Sequence, residues 1–144
     1  MITQHQELLS VSTPGRGLVD ITREVAAVVA RARVTSGLCV VFCKHTSCSL
    51  LIQENADAAV QRDLLAWLAR LAPDADPRYE HDAEGPDDMA AHLRGAVTRS
   101  SENVPVIDGK LALGTWQAIY LAEHRTRPYQ RTLIVHVTGE QRGA

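Results

Sequence analysis

The stretch Leu38-Cys39-Val40-Val41-Phe42-Cys43-Lys44-His45-Thr46-Ser47-Cys48-Ser49-Leu50-Leu51-Ile52 sets the reading of the whole chain. Residues 38–42 are continuously apolar and rich in β-branched side chains, as in a strand buried on both faces, and 48–52 repeat the pattern. The two runs read as neighbouring strands, or as one long bent strand, around a polar interruption. Polar groups inside apolar strands must be satisfied or used. His45, Thr46 and Ser47 therefore mark either a site at a strand junction or a β-bulge whose hydroxyls serve local backbone groups.

Working outward, residues 5–12 alternate as a first strand, which Pro14-Gly15-Arg16-Gly17 ends. Asp20 or Thr22 caps a helix with Val25, Val28, Val29 and Ala32 on one face, and Gly37 stands where that helix stops. Asn55 or Asp57 opens a second helix, its apolar stripe running through Val60, Leu64, Trp67, Leu68 and Leu71 to a stop at Pro73, with Trp67 in the core. Residues 72–85 form a long polar loop. A short helix follows from Met89 to about Val97, with acidic residues in its first turn. Strands 103–107 and 110–112 flank the hairpin signal Asp108-Gly109, and 115–122 and 131–137 supply two more. Late antiparallel hairpins, with two to three helices between strand groups, define an α+β fold built mainly on antiparallel sheet.

At 144 residues the chain suits one domain, residues 1–144. A formal net charge of −2, from 15 Lys plus Arg against 17 Asp plus Glu, leaves no basic excess for nucleic acid. No apolar run approaches the ~20 residues a membrane span needs, and residues 1–5 lack the pattern of a signal peptide, so the expectation is a soluble cytoplasmic protein. Cys39, Cys43 and Cys48 are odd in number and have no CxxC spacing, which reads as reduced thiols. Cys39 and Cys43 share one side of a strand.

Two further segments carry polar side chains with chemical uses. Asp88 and His92 stand four apart, so a helix points them to one side, and His81 reaches that side from the loop. One carboxylate with imidazoles suits Zn²⁺ or another divalent ion with an open position. Alternatively, Asp87 and Asp88 serve the helix dipole and the histidines are surface groups. Beside Gly114, Trp116 and Gln117 could stack on and hydrogen-bond a planar ligand, or Trp116 could pack in the core. Glu123 with His124 or Arg125 forms an acid/base pair, an anion clamp or a solvated ion pair, or it is half of a structural ion pair with Arg125 or Arg131.

The segments HTSCSLLIQENAD (45–57), YEHDAEGPDDMAAH (79–92) and LALGTWQAIYLAEHR (111–125) resemble the diagnostic blocks of the YjbQ family, also called the secondary thiamine-phosphate synthase family. The resemblance covers essentially the whole chain in block order and spacing. It implies a compact α+β subunit, a homotrimer with its polar motif residues near subunit boundaries, and a weak thiamine-phosphate synthase activity secondary to another role. The family's polar positions match His45, Thr46, Ser47, Glu54, Asn55, Asp57, His81, Asp88, His92, Trp116, Gln117 and Glu123. Ala90 departs from the proline often found there, and 98–102 are more charged than usual.

The combined expectation is a trimeric α+β enzyme acting on a small phosphorylated or otherwise anionic substrate. Asp57, Asp88 and Glu123 are its catalytic candidates. Thr46, Ser47, Glu54, Asn55, Trp116, Gln117 and Arg125 are candidates for substrate binding, and His45, His81 and His92 for a divalent metal, Zn²⁺ or Mg²⁺. No phosphate-binding loop of the P-loop kind is present, which weighs against the synthase reading. A non-catalytic small-molecule-binding or regulatory trimer and a metal-assisted hydrolase are the alternatives.

Overall fold

The structure, a computed structural model, describes residues 1–141. Strands β1 (Ile2–Thr13), β3 (Ser36–Cys43), β5 (Ser101–Ile107), β6 (Lys110–Leu111) and β8 (Tyr129–Glu140) form a five-stranded sheet in the order β1-β8-β3-β5-β6. Strands β2 (Gly17–Asp20), β4 (Cys48–Glu54) and β7 (Gln117–Glu123) form a three-stranded sheet in the order β2-β7-β4. Every pairing is antiparallel. With helices α1 (Thr22–Ala32), α2 (Ala58–Leu71) and α3 (Asp88–Val97), the fold is α+β in one domain. No helix among the described residues is long and apolar enough to cross a membrane.

Alternation in β3, β5 and β8 turns Cys39, Val41, Val104, Val106, Leu133, Val135 and Val137 inward. There they meet Val25, Val28 and Val29 of α1 and Leu50, Ile119 and Leu121 of the small sheet. The opposite face of the small sheet buries Leu51, Ala118, Tyr120 and Ala122, with Leu64 of α2 packed against them. Asp108 and Gly109, with φ of 50° and 77°, turn β5 into β6 as the hairpin signal predicts. Asp57 caps α2 by accepting the Ala59 N–H.

Several expectations are corrected. The two runs of 38–52 belong to different sheets, and only β4 is nearly continuous in burial. Strand β3 alternates, with Leu38 42% and Phe42 43% exposed, because protein covers one side of the large sheet only. Trp67 is 46% exposed, since the apolar stripe of α2 turns Leu68 inward instead. Helix α1 ends with Arg33 in the left-handed region at φ 55°, and Gly37 lies in β3. Gly37 faces Gly139 across the β3–β8 ladder, where a Cβ would stand 2.0 Å from the Thr138 carbonyl oxygen, so close backbone approach requires it. Asp20 stands one residue before the Ile21 cap position and accepts from Thr22. Strand β2 begins at Gly17 itself, at a point where the glycine cluster signals only a break. Residues 115 and 116 precede β7, and the first and last strands extend beyond 5–12 and 131–137.

A buried polar chain ties α3 to the small sheet. His124 Nε2 lies 2.7 Å from Ser49 Oγ, which lies 2.5 Å from Thr98 Oγ1, and that hydroxyl donates to the Arg94 carbonyl at 2.8 Å. Burial, with the positive charge of Arg94, holds His124 down at about 4 against the ordinary 6.5. A depressed imidazole contributes stability that is fully present above 6.5 and lost as pH falls to about 4, where the folded state also protonates. Glu7, Asp76 and Asp87 are held at about 2, so the losses they cause centre on more acid conditions. Thermal melts across the upper window should therefore show the wild-type melting temperature falling with pH, and a flatter response in His124→Gln. Equal slopes would show that this imidazole does not control acid stability.

Candidate functional site

The N-terminus of α3 and the loop before it bring together three donors. Asp88 and His92 lie one helical turn apart, and the loop returns His81 to the same point. Asp88 Oδ2 is 2.7 Å from His81 Nε2 and 3.3 Å from His92 Nε2. All three donor atoms lie within 4.8 Å of one another, and the two rings meet edge to face at 5.2 Å between centroids. Asp88 is buried, His92 half-buried and His81 exposed, so the group opens toward solvent on its histidine side.

Arg125 fixes the carboxylate. It donates to Asp88 Oδ1 at 2.8 Å through Nη1, to Asp87 Oδ2 at 3.0 Å through Nε, and to the Glu84 carbonyl at 3.0 Å through Nη2. Thr126 adds its N–H to Asp87 at 2.9 Å. Burial works against charge on both aspartates. The Thr126 N–H and Arg125 nevertheless hold Asp87 at about 2, while His81 and Arg125 hold Asp88 below its usual range. Expected as a substrate-binding residue, Arg125 instead engages the chain's own carboxylates and orients a donor.

His45 stands apart from this group. Its Nε2 accepts the Thr132 N–H at 2.9 Å, and burial, with the charge of Arg131, lowers its pKa. It shares a cleft of about 250 Å³ with Thr46, Cys48, Ser49, His92 and Gly95, so the two histidines line one space without presenting nitrogens to one point. Thr46 is exposed at this cleft, whereas the Ser47 carbonyl accepts from His124 N–H at 3.2 Å and from Arg131 at 3.5 Å.

Glu123 does not face the cleft. It is 1% exposed and accepts from Arg131 through both carboxylate oxygens, from Thr13 Oγ1 at 2.7 Å and from the Arg125 N–H at 3.2 Å. Despite burial, these partners hold its pKa below the ordinary value. In place of an open catalytic carboxylate the structure shows a buried ion pair, made by Arg131 and not by the Arg125 side chain. Asp57, an exposed helix cap, is likewise outside the site.

Glu54, Asn55, Trp116 and Gln117 gather at the other end of the small sheet. Glu54 pairs in register with Gln117, and Asn55 N–H donates to the Trp116 carbonyl at 2.9 Å. At the near end Cys48 pairs with Glu123, so the seven residues of β4 separate the two groups by roughly 20 Å. Trp116 is 62% exposed, outside the core, and Glu54 Oε2 is enclosed without a hydrogen-bond partner among the described residues.

Sequence reasoning assigns no role to Ser49, only a helix-dipole role to Asp87 and only a possible ion pair to Arg131; all three hold the site from behind. Phase carries the signal for one of them: Arg131 alternates with Leu133, Val135 and Val137, so it points into the core and requires a buried anion.

The fold and the His81–Asp88–His92 group define a small antiparallel α+β domain with an open cluster of nitrogen and carboxylate donors. The chain belongs to the YjbQ-like family, UPF0047, whose profile matches residues 7–140. It is 52% identical to a UPF0047 protein of Synechocystis over 95% of this chain and 93% of that protein. It is 38% identical to the UPF0047 protein YjbQ of Escherichia coli O157:H7, over 94% and 99% of the two chains. Among solved structures, a YbjQ-like protein of unknown function from Sulfolobus solfataricus superposes with a TM-score of 0.89 at 26% identity, covering 97% of this chain and all of that one. An uncharacterised YjbQ/UPF0047 protein from Clostridium acetobutylicum gives 0.84 at 36% identity, covering 91% and 98%.

Replacing Glu123 tests its corrected role. Glu123→Gln leaves Arg131 buried beside a neutral amide, which should cost about 3–5 kcal/mol of stability. Chemical denaturation would check this, and a variant as stable as wild type would remove the pair from the fold's essentials.

Proposed function

We propose that the chain is a metal-dependent enzyme acting on a small phosphorylated or otherwise anionic molecule, with the ion held by His81, Asp88 and His92. The observation that carries this reading is the convergence of three donor atoms within 4.8 Å, one of them on a carboxylate whose other oxygen is fixed by Arg125. Two imidazoles and one carboxylate fit Zn²⁺ or a similar first-row ion. They do not suit Mg²⁺, which prefers oxygen ligands throughout. An ion of this kind supplies Lewis-acid polarisation of a bound oxygen.

The chain's own residues would do the rest. Arg125 keeps Asp88 charged and aimed, in the manner of partners that tune metal ligands from behind. Thr46 and His45 line the adjoining cleft, where a hydroxyl and an imidazole suit a small anion. Thiamine-phosphate synthesis, implied by the family resemblance, would place departing pyrophosphate here. Arg125 and Arg131 already donate to groups of the chain, so neither is free to hold that diphosphate. Hydrolysis or transfer on a smaller anionic group therefore fits this site better.

Metal analysis and zinc titration of untagged protein should find one ion per chain. His92→Ala should weaken binding at least about 100-fold while leaving the fold intact, because its half-exposed ring contributes little packing. Unchanged zinc affinity would remove the metal reading. Metal binding with no turnover of phosphorylated small molecules would favour the non-catalytic binding protein.

We also propose a homotrimer assembled on the outer face of the large sheet. Leu8, Ile134 and Phe42 form a cross-strand row there, continued by Leu38, Pro105 and Ile107 on the same side. Leu8 is 68% and Ile107 60% exposed, an apolar face that association would cover. Light scattering should report three chains, and Phe42→Glu should yield monomers. A monomeric wild type at micromolar concentration would overturn the assembly.

A further inference from the structure

Three buried cysteines lie in β3 and β4, and two of them touch. Cys43 Sγ is 3.4 Å from Cys48 Sγ, one at the end of β3 in the large sheet and the other at the start of β4 in the small sheet. The residues between them, 44–47, form the turn that carries His45 and Thr46. Cys43 and Cys48 are only 2% and 3% exposed, so a bulky oxidant is excluded. Cys48 nevertheless lines the cleft of about 250 Å³ shared with His45 and His92, which gives a small molecule a path to sulfur. Cys39 is fully buried elsewhere on β3 and lines no such space.

We propose that Cys43 and Cys48 are a redox modification site, converted to a disulfide by hydrogen peroxide or a small organic hydroperoxide entering through this cleft. One of the two touching sulfurs attacks the peroxide, forming an S–O bond as the O–O bond breaks. The departing oxygen takes up the thiol proton and leaves as water or alcohol. The other sulfur then attacks the oxidised one, forming S–S as S–O breaks, and a water leaves with the second thiol proton. The two sulfurs together lose two electrons, and the peroxide gains them.

The step asks for little movement. The sulfurs are in contact at 3.4 Å and need to close to about 2.05 Å. The product ties the two sheets together through a ring spanning residues 43–48. That ring holds the turn at one wall of the cleft, whether or not a metal binds nearby.

The test uses the full chain, purified under reductant, freed of it and exposed to a small excess of hydrogen peroxide in the folded state. The expected product weighs two hydrogens less than the starting protein and is restored by dithiothreitol. After unfolding and alkylation, peptide mapping should show Cys43 linked to Cys48 and Cys39 alkylated. Amide exchange across 44–48 should slow in the oxidised form. Cys48→Ala should not lose the two hydrogens; if that variant fails to fold, the wild-type map decides alone. Unchanged mass, added oxygens without a link, linkage through Cys39 or between chains, or a link formed only after unfolding would each overturn the proposal. Unaltered exchange across 44–48 would overturn the constraint on the turn.

Discussion

Glu123 and Arg131 form an ion pair that water does not reach, and the strands supplying its partners cannot move independently. Removing two charges from water is costly, and the geometry answers that cost. The guanidinium meets both carboxylate oxygens, Thr13 donates to one of them, and the Arg125 N–H donates to the other. Arg131 also reaches the Ser47 carbonyl. One carboxylate thus fixes β1, β7, β8 and the turn between β3 and β4 at the seam of the two sheets. The next two residues inherit that position: His124 is presented to β4, and Arg125 to the aspartates of α3.

The charge arrangement around α3 follows from this placement. Asp87 and Asp88 are adjacent, buried and ionised, while a single guanidinium lies between them. Two negative charges against one positive leave the histidine group in a negative local field, which favours a cation over an anion at that point. Thr126 reduces the surplus through its backbone N–H on Asp87, leaving Asp88 Oδ2 directed at the two imidazoles. The helix N-terminus lends its dipole to the same carboxylate.

Much of this was legible from local pattern. The Asp108-Gly109 hairpin, the Asp57 cap and the one-turn spacing of Asp88 and His92 depend on near neighbours, and the structure reproduces them. Long-range packing was not legible in the same way. Apolar content alone does not reveal that protein covers one side of β3 only, nor does it decide whether Trp67 or Leu68 faces inward. Sequence leaves the partner of Glu123 open between Arg125, two residues away, and Arg131, and the choice is made only when β8 is laid in place. The far-end group of Glu54, Asn55, Trp116 and Gln117 belongs to the same motif blocks as the near-end group. Motif order carries no information about which end of a strand a block occupies.

The pairing of β1 with β8 has a consequence for how the molecule comes into being. The ladder joins Thr13 to Tyr129 at one end and Ile2 to Glu140 at the other, so β1 has no ladder partner until nearly the whole sequence has been synthesised. At about 5–20 residues per second, that interval is on the order of 6–30 s. Throughout it, a strand with Leu9 and Val11 on its inward side must avoid pairing with other chains. Closing so long a loop also makes this ladder slow to form. The segment that becomes an edge of the finished sheet is therefore the strand that waits longest for its ladder partner.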